Sequence, residues 1–271
     1  MSSKAAQSAR DSFVTTKEHR RFVEFCDACR RDRYIGLCYG PPGVGKTLSA
    51  RRYAQWDLLE PYLRFFRRDR LFPPKLDWNQ CRTVVYTAPV VRSPKQIGED
   101  VRSSCSHLAI TAAEIMDSDE IWNDTDSWTE LLIVDEADRL KTAGLEQLRD
   151  IYDHQGVGVV LVGMPGIEKR LSRYPQLYSR VGFVHRFRPL SAEEARFILK
   201  NKWEALGRNL DPNDSTDEET VAAVLRITGG NFRLLDRLLT QVERVLQINE
   251  MKTVTKEVVE TARENLVIGV A

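Results

Sequence analysis

Tyr39-Gly40-Pro41-Pro42-Gly43-Val44-Gly45-Lys46-Thr47-Leu48 is the stretch that decides the fold. It satisfies G-x-x-x-x-G-K-[ST], with Gly40, Gly45, Lys46 and Thr47 on the fixed positions. The short apolar run Tyr34–Tyr39 precedes it, and Leu48–Trp56 continues as a helix. Strand, glycine-rich loop and helix in that order form a phosphate cradle. Glycines let backbone N–H groups turn inward around phosphate oxygens, and the helix N-terminus adds partial positive charge. Lys46 is placed to reach the β- and γ-phosphates of a nucleoside triphosphate, and the Thr47 hydroxyl to sit on Mg²⁺. The whole run from Gly40 to Leu48, through Pro41, Pro42, Gly43 and Val44, is the expected nucleotide-binding segment.

A loop of this kind requires a partner strand ending in acid, and Leu131-Leu-Ile-Val-Asp135-Glu136 supplies it. Four apolar residues followed by two carboxylates read as a buried parallel strand whose C-terminal end faces the phosphates. Asp135 is then the second metal-shell residue beside Thr47. Glu136 is the base that orients and deprotonates the attacking water. The two motifs together imply hydrolysis as well as binding.

The remaining chain alternates in the same style. Lys17–Arg33 carries Phe22, Val23, Cys26 and Cys29 at helical spacing. Thr83–Tyr86 reads as a strand, Arg92-Ser-Pro-Lys95 opens a helix running to about His107, and Arg139–Gln155 reads as a helix. Val157–Val162 and Val181–Phe187 are further strands, separated by a short helix over Gly166–Tyr174. Asp57–Arg82 is less regular, with Arg64, Arg67, Arg68 and Arg70 among Phe65 and Phe66; such mixing suits a nucleic-acid surface or a solvated helix with an apolar face. Arg92 and Lys95 lie just past a strand end, on the functional edge of such a sheet, and are candidate DNA phosphate contacts.

From Ser191 the pattern turns wholly helical. Ser191-x-x-Glu194 and Thr216-x-x-Glu219 fit capping boxes, Gly229-Gly230 stops a helix, and 231–247 and 255–265 are two more. The expected organisation is a polar tail over 1–12, an α/β nucleotide-binding core with a parallel five-stranded sheet over 13–190, and a small helical lid over 191–271.

Forty basic residues against thirty-nine acidic ones leave a formal net charge of +1, so overall charge favours no class of partner. The five cysteines include a single C-x-x-C, Cys26–Cys29, placed within a helical apolar pattern; buried thiols are expected there rather than a zinc or redox site. No apolar run approaches membrane-spanning length, and the first residues lack a signal-type core, which predicts a cytoplasmic protein without a membrane partner.

The phosphate loop, the Asp-Glu strand end, the alternating core and the helical C-terminal part together resemble the AAA+ ATPases, over nearly the whole chain after residue 13. The resemblance implies ATP and Mg²⁺ as cofactors. It also implies that Arg180, within Leu177-Tyr-Ser-Arg180-Val-Gly, is an arginine finger serving a neighbouring subunit, with Arg173 second in line. Arg233, within Gly229-Gly-Asn-Phe-Arg233, matches the second sensor, which touches the γ-phosphate. Val160-Leu-Val-Gly163-Met164-Pro matches the first-sensor strand, but Gly163 or Met164 stands where these proteins carry a polar, water-positioning residue.

Leu161-Val-Gly-Met-Pro-Gly, Leu177-Tyr-Ser-Arg-Val-Gly-Phe and Arg188-Pro-Leu further resemble the transposition ATPases of the TnsC, TniB and MuB kind. That implies ATP-dependent homo-oligomers, ring or helical filament, on double-stranded DNA. It also implies selection of target sites and recruitment or activation of a transposase. The alternative is an adaptor or loader ATPase that remodels protein partners without touching DNA. Asp135-Glu-Ala-Asp138 also spells a DEAD-type helicase, but the part after Ser191 is too short and too helical for the second α/β domain such enzymes need. The absence of an Asn-Lys-x-Asp run disfavours a GTPase, and a small-molecule kinase rarely uses an Asp-Glu strand end.

Overall fold

The computed structural model describes residues 13–64, 76–205, 215–251 and 253–266. The 1–12 tail lies outside these residues, as does the Arg/Phe cluster from Phe65 to Arg70. The described chain forms two compact units. One holds residues 21–40 and 46–187, and the other holds 13–20, 41–45 and the chain from Arg188 onward.

The α/β unit begins in helix α1 (Lys17–Asp32) and strand β1 (Ile35–Tyr39). Helix α2 (Lys46–Tyr53) and helix α3 (Trp56–Arg64) follow the phosphate loop. Then come β2 (Thr83–Thr87), α4 (Pro94–Met116), the short α5 (Asp119–Asn123) and β3 (Leu131–Asp135). Helix α6 (Thr142–Gln155), β4 (Gly158–Gly163), α7 (Ile167–Leu171), α8 (Pro175–Tyr178) and β5 (Val181–Arg186) complete it. The strands form one sheet in the order β2-β3-β4-β1-β5, parallel throughout.

The burial pattern explains that order. Every residue of β3 and β4 is buried, as are the first four of β1, so these strands take the centre, where helices cover both faces. β5 alternates half-buried and exposed residues, as an edge strand with one covered face should. Beneath it Phe22 of α1 packs on Phe187, ring centroids 6.0 Å apart. Two glycines mark close approaches: a Cβ at Gly158 would stand 2.5 Å from the Cys29 carbonyl oxygen, and one at Gly36 2.4 Å from Cys29 Sγ.

The structure corrects several local expectations. Asp57–Arg64, read as irregular, lies in α3. Helix α4 runs to Met116, well past His107; Ser93 starts it with a reciprocal capping box to Gln96, and past His107 its buried face is Leu108 followed mostly by small residues (Ala109, Ala112, Ala113). The helix read from Arg139 begins at Thr142, and Arg139 ends a 3₁₀ turn over residues 137–139.

The helical unit comprises α9 (Ala192–Ala205), α10 (Ser215–Thr228), α11 (Phe232–Ile248) and α12 (Lys256–Glu264). Ser191 and Glu194 form the expected capping box, each accepting the other's backbone N–H at 3.2 and 3.0 Å. Thr216 does not cap α10 but lies within it, because the helix already includes Ser215. Trp203, Leu238, Leu235 and Val259 anchor a core of their own. The first turn of α1 belongs to this unit: the Lys17 N–H donates to Glu194 Oε1 at 2.7 Å, and Glu18 Oε2 accepts from the Arg188 N–H at 3.2 Å.

Between α10 and α11, Gly229 and Gly230 both hold positive φ, 54° and 76°. Only Gly230 is also crowded, since a Cβ there would stand 2.3 Å from the Leu190 carbonyl oxygen. Gly229→Ala should therefore cost about 1 kcal/mol, the left-handed penalty alone. Gly230→Ala should cost about 3 kcal/mol or more, with the steric conflict added. Urea unfolding of the two variants side by side checks the difference.

Candidate functional site

Register brings the strand ends together. Tyr39 lies beside Gly163, and Thr87 beside Asp135, so β1, β2, β3 and β4 release the chain at one edge of the sheet. In open parallel sheets this edge is where ligands bind.

At the exit of β1, Gly40 has no room for a side chain: a Cβ would stand 2.2 Å from the Phe187 carbonyl oxygen. Gly43 and Gly45 are needed for conformation instead, at φ 79° and 108°. Within the helical unit, Asn231 caps α11 through Oδ1, which accepts from the Leu234 N–H at 3.1 Å. Its Nδ2 donates to the Pro42 carbonyl at 2.9 Å, and the Arg233 N–H donates to the Gly43 carbonyl at 2.9 Å. Loop carbonyls are thus held from outside, which favours loop N–H groups turned inward. The Arg233 side chain is exposed.

Within the α/β unit, Lys46 Nζ donates to the Gly40 carbonyl at 2.5 Å and lies 4.0 Å from Met164 Sδ. Asp135 is only 3% exposed, and both its oxygens are engaged. The Thr47 hydroxyl donates to Oδ2 at 2.7 Å, and the Glu136 N–H donates to Oδ1 at 2.9 Å. A hydroxyl beside a carboxylate is an all-oxygen donor pair, which suits Mg²⁺, an ion that fills its other positions with water and phosphate oxygens. Among the described residues no group of three or more His, Cys, Asp or Glu could hold a metal ion.

Glu136 stands in the left-handed region, φ 55° and ψ 37°. Its carboxylate is ion-paired with Arg139, whose guanidinium also donates to the Ala88 carbonyl at 3.3 Å. The sequence reading missed Arg139; its i,i+3 spacing from Glu136 was the available signal.

Other candidates have partners of their own. Arg180 grips Asp153 with two nitrogens, Nε at 2.6 Å and a terminal nitrogen at 3.0 Å. These bonds lower the Asp153 pKa, and Arg149 also pairs with it at 2.6 Å. Arg173 is exposed, with no side-chain partner among the described residues. Arg92 pairs loosely with Asp100 at 3.5 Å, and Lys95 with Glu99 at 3.8 Å. Cys26 and Cys29 are fully buried; burial raises both thiols, Cys29 to about 12, so neither is a ready nucleophile.

The family model described as an AAA domain matches residues 29–171, more than half the chain. The protein belongs to the AAA+ family. A Staphylococcus aureus relative described as a potential ATP-binding protein is 44% identical over 265 residues, covering 96% of this chain and 98% of its own. The Mu-like prophage FluMu DNA transposition protein B of Haemophilus influenzae is 32% identical over 238 residues, covering 83% of this chain and 70% of its own. Among solved structures, the Thermotoga maritima RuvB Holliday junction branch migration motor superposes with a TM-score of 0.56 at 18% identity, over 94% of this chain and 70% of that one. At that identity the likeness speaks for the AAA+ fold alone. The AAA+ chain is accordingly an ATPase, with the five-stranded parallel core and C-terminal helices its sequence predicted. No helix among the described residues is long and apolar enough to cross a membrane.

Proposed function

We propose that this ATPase assembles on duplex DNA and acts in transposition, selecting target sites and recruiting or activating a transposase. The observation that carries the reading is the 32% identity to a DNA transposition protein across 83% of this chain. The exposed stretch Val90–Arg92 and Lys95, just past β2, is the proposed DNA-facing loop. Among the described residues its cations pair with Asp100 at 3.5 Å and Glu99 at 3.8 Å, weak surface interactions that phosphate groups would replace.

In the same reading ATP sits on the loop from Gly40 to Leu48, and Arg233 meets the γ-phosphate. Thr47 and Asp135 hold Mg²⁺, which supplies charge neutralisation on the β- and γ-phosphates when bound. Glu136, freed from Arg139, accepts the proton of the attacking water. Arg180 serves the neighbouring subunit after exchanging Asp153 for phosphate. A guanidinium suits this because it stays charged and offers planar donors.

Hydrolysis is tested first. Lys46→Ala should weaken binding of a fluorescent ATP analogue, whereas Glu136→Gln should bind it normally and lose turnover by about 10²–10⁴. Normal turnover by Glu136→Gln would remove Glu136 from its role.

DNA binding is tested by anisotropy across a salt series. Affinity for duplexes of unrelated sequence should be similar, rise with ATP and fall steeply with salt. Arg92→Ala with Lys95→Ala should flatten the log–log slope by up to about 1.8, roughly 0.9 for each phosphate that is no longer neutralised. An ATPase with no salt-sensitive DNA affinity would instead be a protein adaptor.

Sharing of the site between subunits is tested by mixing. Arg180→Ala and Glu136→Gln should each be nearly inactive, since such a finger contributes about 10³–10⁵ in rate. Their mixture should recover part of the activity, because an intact Glu136 then meets an intact Arg180 from its neighbour. Full activity of Arg180→Ala alongside an inactive Arg173→Ala would move the finger to Arg173.

A further inference from the structure

The polar side chain expected at the end of β4 is missing, and the structure shows what fills its place. Gly163 is the last residue of β4. A Cβ built there would stand 3.0 Å from Asp138 Oδ1 and 2.7 Å from Ile167 Cδ1. The slot into which a side chain at 163 would project therefore already holds a carboxylate, delivered from the turn that follows the neighbouring strand β3. That carboxylate is anchored: Asp138 Oδ1 accepts the Met164 N–H at 3.1 Å.

The turn that carries Asp138 is fixed as well. It is the 3₁₀ turn Ala137–Arg139, which begins directly after Glu136. Arg170 of α7 donates to the Asp138 carbonyl at 2.7 Å, in the middle of the turn, and also to the carbonyl of Leu140, the residue that follows it, so one guanidinium clamps the turn and its exit. Beyond Met164 the connection continues, since its sulfur lies 4.0 Å from Lys46 Nζ. A thioether is a weak acceptor, able to steady an ammonium without competing with phosphate for it. Asp138 thus joins three elements: the turn after Glu136, the exit of β4 and, through Met164, the lysine of the phosphate loop.

We infer that Asp138 is a positioning residue of the ATPase site, occupying from β3 the place that position 163 leaves empty on β4. It touches no substrate; it holds the Met164 backbone and hence the spacing between the β4 exit, Lys46 and Glu136. The inference rests on the hydrolytic reading of Lys46 and Glu136 above. It also explains Gly163 sterically, because no side chain fits there while the Asp138 carboxylate does.

The test is a swap, read in steady-state ATP hydrolysis with Glu136→Gln measured alongside. Asp138→Ala should lower kcat about tenfold, the lower end of what losing an outer orienting residue costs, with KM within about twofold. Asp138→Asn, which keeps an oxygen for the Met164 N–H, should stay within about twofold of the parent. Gly163→Ser alone should also lose activity, because it meets Asp138 and Ile167. Combined with Asp138→Ala it should recover part of the lost kcat, since the carboxylate is then gone, only the end of the Ile167 side chain has to shift, and a polar group enters the slot from β4. Recovery of that sign is not expected from a merely structural defect, which would combine to a lower melting temperature and lower activity. Should Asp138→Ala not fold, Asp138→Ser, too short to reach the Met164 N–H, takes its place in the comparison. Parental kcat in Asp138→Ala, or a double variant no faster than Asp138→Ala with both folded, would overturn the inference. If Glu136→Gln also hydrolysed normally, the underlying site assignment would fail instead.

Discussion

The parallel register of β1, β3 and β4 is the constraint on which the site depends. These strands are buried along nearly their whole length, so a one-residue slip in any of them would exchange its two faces against the covering helices. The same register pairs Tyr39 with Gly163 and Val134 with Leu161, so Asp135 ends β3 within one residue of the ends of β1 and β4. Thr47 meets Asp135 because β1 and β3 end together, with β4 between them. The hydrogen bond of 2.7 Å between residues 88 apart is therefore a product of sheet pairing rather than of local sequence.

Much of this was legible in the chain itself. The central strands announce themselves because burial on both faces demands continuous apolar runs, as in Leu131–Val134 and Val159–Val162. The phosphate loop is legible because backbone geometry restricts residue type: Gly43 and Gly45 hold positive φ, and Gly40 meets a carbonyl. What was not legible depends on partners distant in sequence or on small residues. Helix α4 extends beyond its expected end on alanines, which give a weak periodic signal. Helix α3 contains Pro61 and leads into an arginine-rich stretch, and both features read locally as irregular. The Asp153 partner of Arg180 lies 27 residues away on α6, with no motif linking them.

The DEAD spelling shows how one motif can be read at two levels. As a word, it suggested a different class of enzyme; in the fold, its letters divide between separate tasks. Asp135 faces Thr47, Glu136 pairs with Arg139, Ala137 is buried, and Asp138 turns towards the end of the next strand. Parallel pairing makes that division possible, because leaving β3 in a tight turn sends alternate side chains to different neighbours.

The left-handed backbone at Glu136 has one further consequence. Non-glycine residues pay conformational free energy there, about 1–2 kcal/mol, and a glycine would not. For folding alone, this is a position where the chain could be improved by substitution, and the improvement would delete the carboxylate. Selection for thermostability without a demand for turnover should therefore drift towards glycine at 136. Under the role proposed for Glu136, the left-handed backbone there is a stability cost that accompanies the chemistry.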